Sequence, residues 1–247
     1  MKILITSGGT KIKIDLVRSI TNMSKGTFGS RICDEFWKKI AYNGHERSAE
    51  WMNEKDITFF YHKDSKIPKA EALSNEMYNS GFSKIEYVTY DTFDDYRDGL
   101  KKLVIEQKYD IVVLAAAVSD YGVEKCYDGK YRSGDDMTIR LVKLPKVIDE
   151  VKKLLPAETV LCGFKLLVNS TDDQLREAMT QQIDRGVDVV IGNDLRDIKA
   201  NNHKLTIKTR FNSDYIVYTK ENGSLPAAVV DACMFAYAKK TSKIAEL

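Results

Sequence analysis

No apolar run among the 247 residues reaches the roughly 18 needed to span a bilayer. The N-terminal apolar stretch beginning at Ile3 is broken by glycines too soon to serve as a secretory signal. The chain is therefore expected to be cytoplasmic and to work away from membranes. Net charge is almost absent, since 38 Lys+Arg stand against 36 Asp+Glu. Without a global field there is no case for nucleic acid as a partner, and any basic patch must be local. Cysteine is sparse and scattered at Cys33, Cys126, Cys162 and Cys233, with no Cys-x-x-Cys pair and no His at zinc-site spacing. Buried thiols that pack as small hydrophobes are the expectation. Neither Gly-x-Gly-x-x-Gly nor Gly-x-x-x-x-Gly-Lys occurs anywhere, so the ordinary dinucleotide and Walker loops are both missing. The three histidines, His45, His62 and His203, belong to none of the polar clusters described next.

What is present has the look of a folded α/β protein. The 43% hydrophobic and 30% charged content is that of an ordinary globular chain, and residues 1–247 are expected to form one domain. Ile3 to Thr6, Ile111 to Ala117, Val160 to Phe164 and Val187 to Gly192 are short, β-branched and unalternating, as strands buried on both faces are. Helix-period segments lie between them, at Ile32 to Ile40, Tyr96 to Gln107, Val147 to Leu155 and Asp173 to Arg185. This rhythm predicts a doubly wound, Rossmann-like, mostly parallel sheet with helices on both faces. Residues 45–90 carry strands at Ile57 to Tyr61 and Ile85 to Val88 and read as a looser, variable periphery. Leu205 to Lys208 and Tyr215 to Tyr218 predict an antiparallel hairpin, about 203–220, around a polar loop. A helix from about Ala227 to Lys240 ends the pattern.

Four polar clusters fall where strands should end, which in open α/β sheets is where ligands bind. Gly8, Gly9 and Thr10 close the first strand, and Asp15, Arg18 and Asn22 then recur at spacings of three and four, along one face of an expected helix. Glycines there either make a tight turn or let backbone N–H groups approach an anion. Ala115, Ala116 and Ala117 lead to Asp120; small side chains admit a flat ring, and Asp120 either accepts from ribose or amine donors or caps the next element. The loop Asp128-Gly129-Lys130-Tyr131-Arg132-Ser133-Gly134 could close cations over phosphates or be simple solvated surface. Finally, Pro145 and Lys146 precede Val147 and Ile148 at a helix start, which could receive an anion or merely initiate the helix. Phe164 ends its strand as a core residue or a stacking platform.

Taken together, these clusters resemble phosphopantothenoylcysteine synthetase. The Thr-Ser-Gly-Gly-Thr opening, the Ile-Asp-x-Val-Arg-x-Ile-x-Asn-x-Ser-x-Gly run after it, Ala115 to Tyr121, Lys130 to Lys146, Gly163 to Val168 and Gly192-Asn193-Asp194 carry the likeness in family order. It is weakest across residues 40–95. The resemblance implies that Asn22 handles the activated acyl group, with Arg18 beside it on the substrate, and that Lys130 is the essential loop cation. It assigns the nucleotide to Gly8, Gly9, Ala116, Asp120, Lys130, Pro145, Lys146, Val147, Ile148, Phe164 and Arg185. Family members often carry two basic residues near the end of the helix after Phe164. Here Gln181 stands at the first of these positions and Arg185 at the second, with Arg176 a candidate to compensate.

The implied reaction joins 4'-phosphopantothenate to cysteine on the way to coenzyme A. A nucleoside triphosphate, with CTP favoured over ATP, is attacked by the acid to give an acyl-nucleotide and pyrophosphate. Cysteine then displaces the nucleoside monophosphate. Magnesium would travel with the triphosphate, largely on phosphates and water, and no protein metal site is expected. The family is dimeric, which makes a homodimer the expectation, with the flanking antiparallel strands as a plausible interface. No flavin-binding decarboxylase segment precedes the match, so a single-function bacterial form is expected. Two other readings compete. A short-chain NADP-dependent reductase shares the fold, and Tyr121 to Lys125 matches its Tyr-x-x-x-Lys spacing, although the match leaves a strand rather than sitting in a helix. A non-catalytic nucleotide-binding module would keep Asp120 and Phe164 but have no use for Asn22 or Lys130.

Overall fold

A computed structural model describes residues 1–42, 55–70, 84–134, 136–199 and 203–245. Its centre is an eight-stranded sheet. In chain order the strands are β1 (Ile3–Ser7), β4 (Lys55–His62), β5 (Lys84–Tyr90), β6 (Ile111–Leu114), β9 (Val160–Leu167), β10 (Val189–Asp194), β11 (Lys204–Thr209) and β12 (Tyr215–Thr219). They lie in the spatial order β12-β11-β10-β9-β6-β1-β4-β5, parallel from β10 to β5 and antiparallel at β11 and β12. Two small antiparallel ribbons stand outside it: β2 (Lys11–Lys13) with β3 (Ser19–Thr21), and β7 (Tyr121–Val123) with β8 (Leu141–Lys143).

Alternate residues of each central strand point to opposite faces, and both faces are covered, which is why these strands read as unbroken apolar runs. Ile3, Ile5, Ile57, Phe59, Ile111 and Val113 pack with Phe36 of helix α1 (Thr27–Tyr42) and Val229 of helix α6 (Leu225–Ala245). On the other face Leu4, Phe60, Val112, Leu161 and Val190 meet Tyr96 of α2 (Phe93–Glu106), Val151 of α3 (Val147–Lys152) and Met179 of α4 (Asp172–Asp184). A short helix, α5 (Leu195–Lys199), follows β10. Both α2 and α4 begin with capping boxes, Thr92 with Asp95 and Thr171 with Gln174, which satisfy two orphan N–H groups reciprocally.

Several expectations need correcting. Residues 11–21 form a ribbon rather than a helix: Ile12 faces Ile20 across it, and Asp15 accepts the N–H groups of Val17 and Arg18 at 2.8 and 2.6 Å, a side-chain-stabilised turn that competes with helix. The strand expected to run to Ala117 leaves the ladder after Leu114, whereas β9 continues beyond Phe164 to Leu167. The 45–90 region is no loose periphery where it is described, because Ile57 to Tyr61 of β4 pair with β1 and Ile57, Phe59 and Phe60 are buried. Residues 45–54 and 71–83, with His45, lie outside the described residues. Cys33, Cys162 and Cys233 are buried as expected, but Cys126 is exposed. Among the described residues, no helix is long and apolar enough to cross a membrane.

Candidate active site at the strand ends

The chain leaves β1 toward β4 on one side, while β6 lies on the other, so the loops after β1 and β6 flank the switch point of the sheet. They are fastened together beyond their last ladder bonds. Ala117 donates its N–H to Gly8 O at 2.7 Å, and Thr10 N–H returns to Ala117 O at 3.3 Å. The Thr6 hydroxyl accepts from Ala116 N–H and the Thr10 hydroxyl from Ser119 N–H, each at 3.1 Å. Gly8 adopts φ +95°, with Ser65 and His62 filling the space a Cβ would need. At Gly9 the constraint is contact: a Cβ there would lie 2.7 Å from the Asn22 carbonyl oxygen. Asn22 thus rests on Gly9, which is itself bridged to Ala117.

The β2–β3 ribbon is stitched to the loop carrying Lys130. Tyr127 N–H donates to Ile14 O and Leu16 N–H to Gly129 O, both at 3.0 Å, and Tyr131 N–H reaches Asp15 Oδ2 at 3.2 Å. Asp15 is 1% exposed. Burial pushes its carboxyl upward, but the N–H groups of Val17, Arg18 and Tyr131 and the Arg18 guanidinium outweigh that and hold it below the ordinary carboxylate value. Arg18 is committed on the same spot, 3.2 Å from Asp15 Oδ2 and 3.4 Å from Tyr131 O. Its observed contacts join ribbon to loop. Lys130 lies between the two anchored residues with its side chain exposed.

The β7–β8 ribbon doubles the chain back, so that Leu144 N–H donates to Asp120 O at 2.9 Å. This places Lys146 Nζ 2.5 Å from Asp120 Oδ1. Val147 is buried and Ile148 half-buried at the head of α3, with Pro145 exposed before them. At six residues α3 is too short for much accumulated dipole, so the charge at this wall is the Lys146 ammonium. Phe164, half-buried within the adjacent strand β9, meets Phe28 of α1 edge-on with centroids 6.1 Å apart.

Arg185 is not brought to this cluster. Helix α4 runs back from the carboxyl to the amino edge of the sheet, and Arg185 caps its far end, where its carbonyl accepts Lys152 Nζ. Gln181 sits on the same last turn, and Arg176 lies over the ring of Tyr215 at 5.5 Å. Tyr121 belongs to strand β7, the wrong setting for a helical Tyr-x-x-x-Lys pair.

Isolated histidines gave no sequence signal, yet two border the site. His62 packs beneath Gly8, with Nε2 3.1 Å from Asp91. Lys11 Nζ lies 2.8 Å from Asp64 and 3.0 Å from Asp91, and Lys63 lies 2.8 Å from the latter. The Lys63 bond, helped by Lys11 and opposed by burial, lowers Asp91 to about 2. His62, Asp64 and Asp91 are close enough to hold a metal ion, but Lys11 already bridges the two carboxylates, and the group is an ion-pair network. His203 lies against Phe28, with ring centroids 5.5 Å apart. At the next strand end Asp194 accepts from Ser170, Arg196 and Asn169 N–H groups and fixes the loop after β9.

The chain is 31% identical over 210 residues to the coenzyme A biosynthesis bifunctional protein CoaBC of Thermococcus kodakarensis, covering 85% of this chain and 45% of that protein. It spans less than half the length of that relative, and likewise of the Methanocaldococcus jannaschii one. The crystal structure of the DNA/pantothenate metabolism flavoprotein from Streptococcus pneumoniae superposes with TM-score 0.69 at 27% identity, covering 96% of this chain and 99% of the other. A Cab2 variant in complex with phosphopantothenate-cysteine shares the fold, with TM-score 0.73 at 21% identity over 98% and 87% of the two chains. The family model for the DNA/pantothenate metabolism flavoprotein C-terminal domain matches residues 1–42 and 80–231, segments that contain both anchored strand ends, the Lys130 loop and the Asp120–Lys146 pair; the chain belongs to that family.

Proposed function

We propose that the strand-end site joins 4'-phosphopantothenate to L-cysteine at the expense of a nucleoside triphosphate, as a step of coenzyme A synthesis. The observation that carries this reading is the contact of Asn22 with Gly9, which is itself bridged to Ala117, so one floor serves an acyl group and a nucleotide together. The acid's carboxylate oxygen attacks the α-phosphorus, the bond to the bridging oxygen breaks, and pyrophosphate leaves. The cysteine amine then attacks the acyl carbon and expels the nucleoside monophosphate, losing a proton to solvent. No protein nucleophile is needed, only placement and charge.

In this scheme Asn22 orients the acyl group, Lys130 and Lys146 balance phosphate charge, Asp120 and Phe164 hold the nucleoside, and Ala116 leaves room for it. Arg18 acts through Asp15 and the loop. CTP is the favoured triphosphate, and Mg2+ enters with it as part of that substrate. The protein is read as a homodimer in the cytoplasm. Incubation with phosphopantothenate, cysteine, Mg2+ and either CTP or ATP, followed by pyrophosphate detection, tests the reading. Cysteine-dependent product, faster with CTP, is expected; no such product with either nucleotide overturns it, and sedimentation of the same preparation reads the dimer.

A further inference from the structure

The floor of the site is held differently on its two sides. Toward β6 it is fixed by backbone hydrogen bonds, from Ala117 N–H to Gly8 O at 2.7 Å and from Thr10 N–H to Ala117 O at 3.3 Å. Toward β4, Gly8 is held by side-chain contact with Ser65 and His62; a Cβ on Gly8 would stand 2.7 Å from His62 Cβ. Gly8 sits in the left-handed region at φ +95° and has no side chain of its own, so its peptide swings freely unless a neighbour blocks it.

His62 is suited to that task because its ring is itself fixed. The side chain is 7% exposed. Nδ1 accepts the Asp64 N–H at 3.1 Å, which leaves the ring proton on Nε2, 3.1 Å from Asp91 Oδ1. Tyr90 packs edge-on against the ring with centroids 5.8 Å apart, while its hydroxyl donates to Ser7 O at 2.7 Å. Asp91 also holds the far end of the same loop. Its carbonyl accepts the Lys11 N–H at 3.2 Å, and its carboxylate lies 3.0 Å from Lys11 Nζ and 2.8 Å from Lys63 Nζ. With Lys11 and Lys63 set against Asp64 and Asp91, the imidazole completes a charge-balanced cluster as a neutral donor. Asp91 thus ties both ends of Gly8-Gly9-Thr10-Lys11 to the end of β5, one end directly and the other through His62.

We propose that His62 is a positioning residue for the ligase reaction: its bond to Asp91 sets Gly8, and through Gly8 the Gly9 surface on which Asn22 rests. The reaction it serves rests on the ligase reading. Two variants that keep a Cβ beneath Gly8 separate the two bonds of the ring. In His62→Gln the amide nitrogen reaches the Nε2 position and still donates to Asp91; in His62→Asn the amide oxygen stands at the Nδ1 position and the bond to Asp91 is lost. With saturating phosphopantothenate, cysteine and CTP, His62→Asn should lower kcat about 10- to 100-fold, the effect of misplacing a reacting group by about 1 Å, while His62→Gln stays within about threefold of the parent and KM holds in both. Amide hydrogen exchange followed by NMR on the ligand-free proteins reads the floor without turnover. The Ala117 and Thr10 N–H groups should exchange at least about tenfold faster in His62→Asn than in the parent or His62→Gln. Parent-like kcat in His62→Asn, equal losses in the two variants, a loss carried by KM, or unchanged exchange at Ala117 and Thr10 overturns the proposal. A parent that forms no product overturns the ligase reading instead, and the exchange comparison then decides by itself whether His62 sets the floor.

Discussion

Replacing Gly9 with alanine tests the placement of Asn22 most directly. Gly9 has no left-handed φ to lose, so the substitution acts by contact alone. The new Cβ would lie 2.7 Å from the Asn22 carbonyl oxygen, where ordinary contact begins at 3.4 Å. Asn22 must therefore retreat by about 0.7 Å, the difference of those two distances. Misplacing a reacting group by about 1 Å can cost roughly 100-fold in rate, so kcat should fall about 10- to 100-fold. Overpacking of this kind costs about 1–3 kcal/mol, which at this chain length is a fall of several degrees in Tm. Pyrophosphate release at saturating substrates measures the first effect and scanning calorimetry the second. A variant that melts lower but turns over within twofold of the parent would refute the assignment of Asn22 to the reacting group.

Lys130→Ala should lower kcat about 100- to 1,000-fold, the range for removing one donor to developing charge, while CD and melting stay unchanged; full turnover would make the loop plain surface. Asp15→Asn weakens acceptance from three N–H groups and removes the charge facing Arg18, so limited proteolysis within 124–134 should accelerate in the variant. Because Asp15 is held below its ordinary value of 3.8, its charge contributes stability that is present above about pH 4 and lost as pH falls through the folded-state value. The variant should show a shallower acid limb in a Tm-against-pH series, and an identical limb would contradict the buried pairing. Under native conditions iodoacetamide should add one adduct, on Cys126, whereas denatured protein takes four, the cysteine count; a second native adduct on intact mass would show that a core thiol is reachable.

The parallel core was readable because Ile3 to Ile5 and Ile111 to Leu114 are apolar at every position, the pattern of strands covered on both faces. Sequence local to residues 11–22 misled for the opposite reason. Spacings of three and four among Asp15, Arg18 and Asn22 fit a helix, but the Asp15 carboxylate gains more from backbone N–H groups and from Tyr131, a partner 116 residues away. In the 45–90 stretch the strand at Ile57 to Tyr61 was legible, but its polar and aromatic surroundings gave no sign that it pairs with β1 inside the sheet. Asp120 and Lys146 were found by motif and lie 2.5 Å apart, while Phe164 meets Phe28 instead. Arg185 matched the motif yet stands at the other edge, because chain direction decides which end of a crossover helix reaches the strand ends. His203 had no legible signal at all, since its neighbours Phe28 and Arg31 are remote in the chain.

The two ties on either side of Lys130 alter how its loop should be pictured. A hinged lid swings its backbone and keeps its side chains, but here the residues before and after the lysine are held by Leu16 and Asp15. Reach must come from the four-carbon stem, on the nanosecond scale of rotamer exchange rather than the slower scale of loop opening. What these ties leave to move is one side chain, so bringing the charge to a ligand needs no slower opening of the loop.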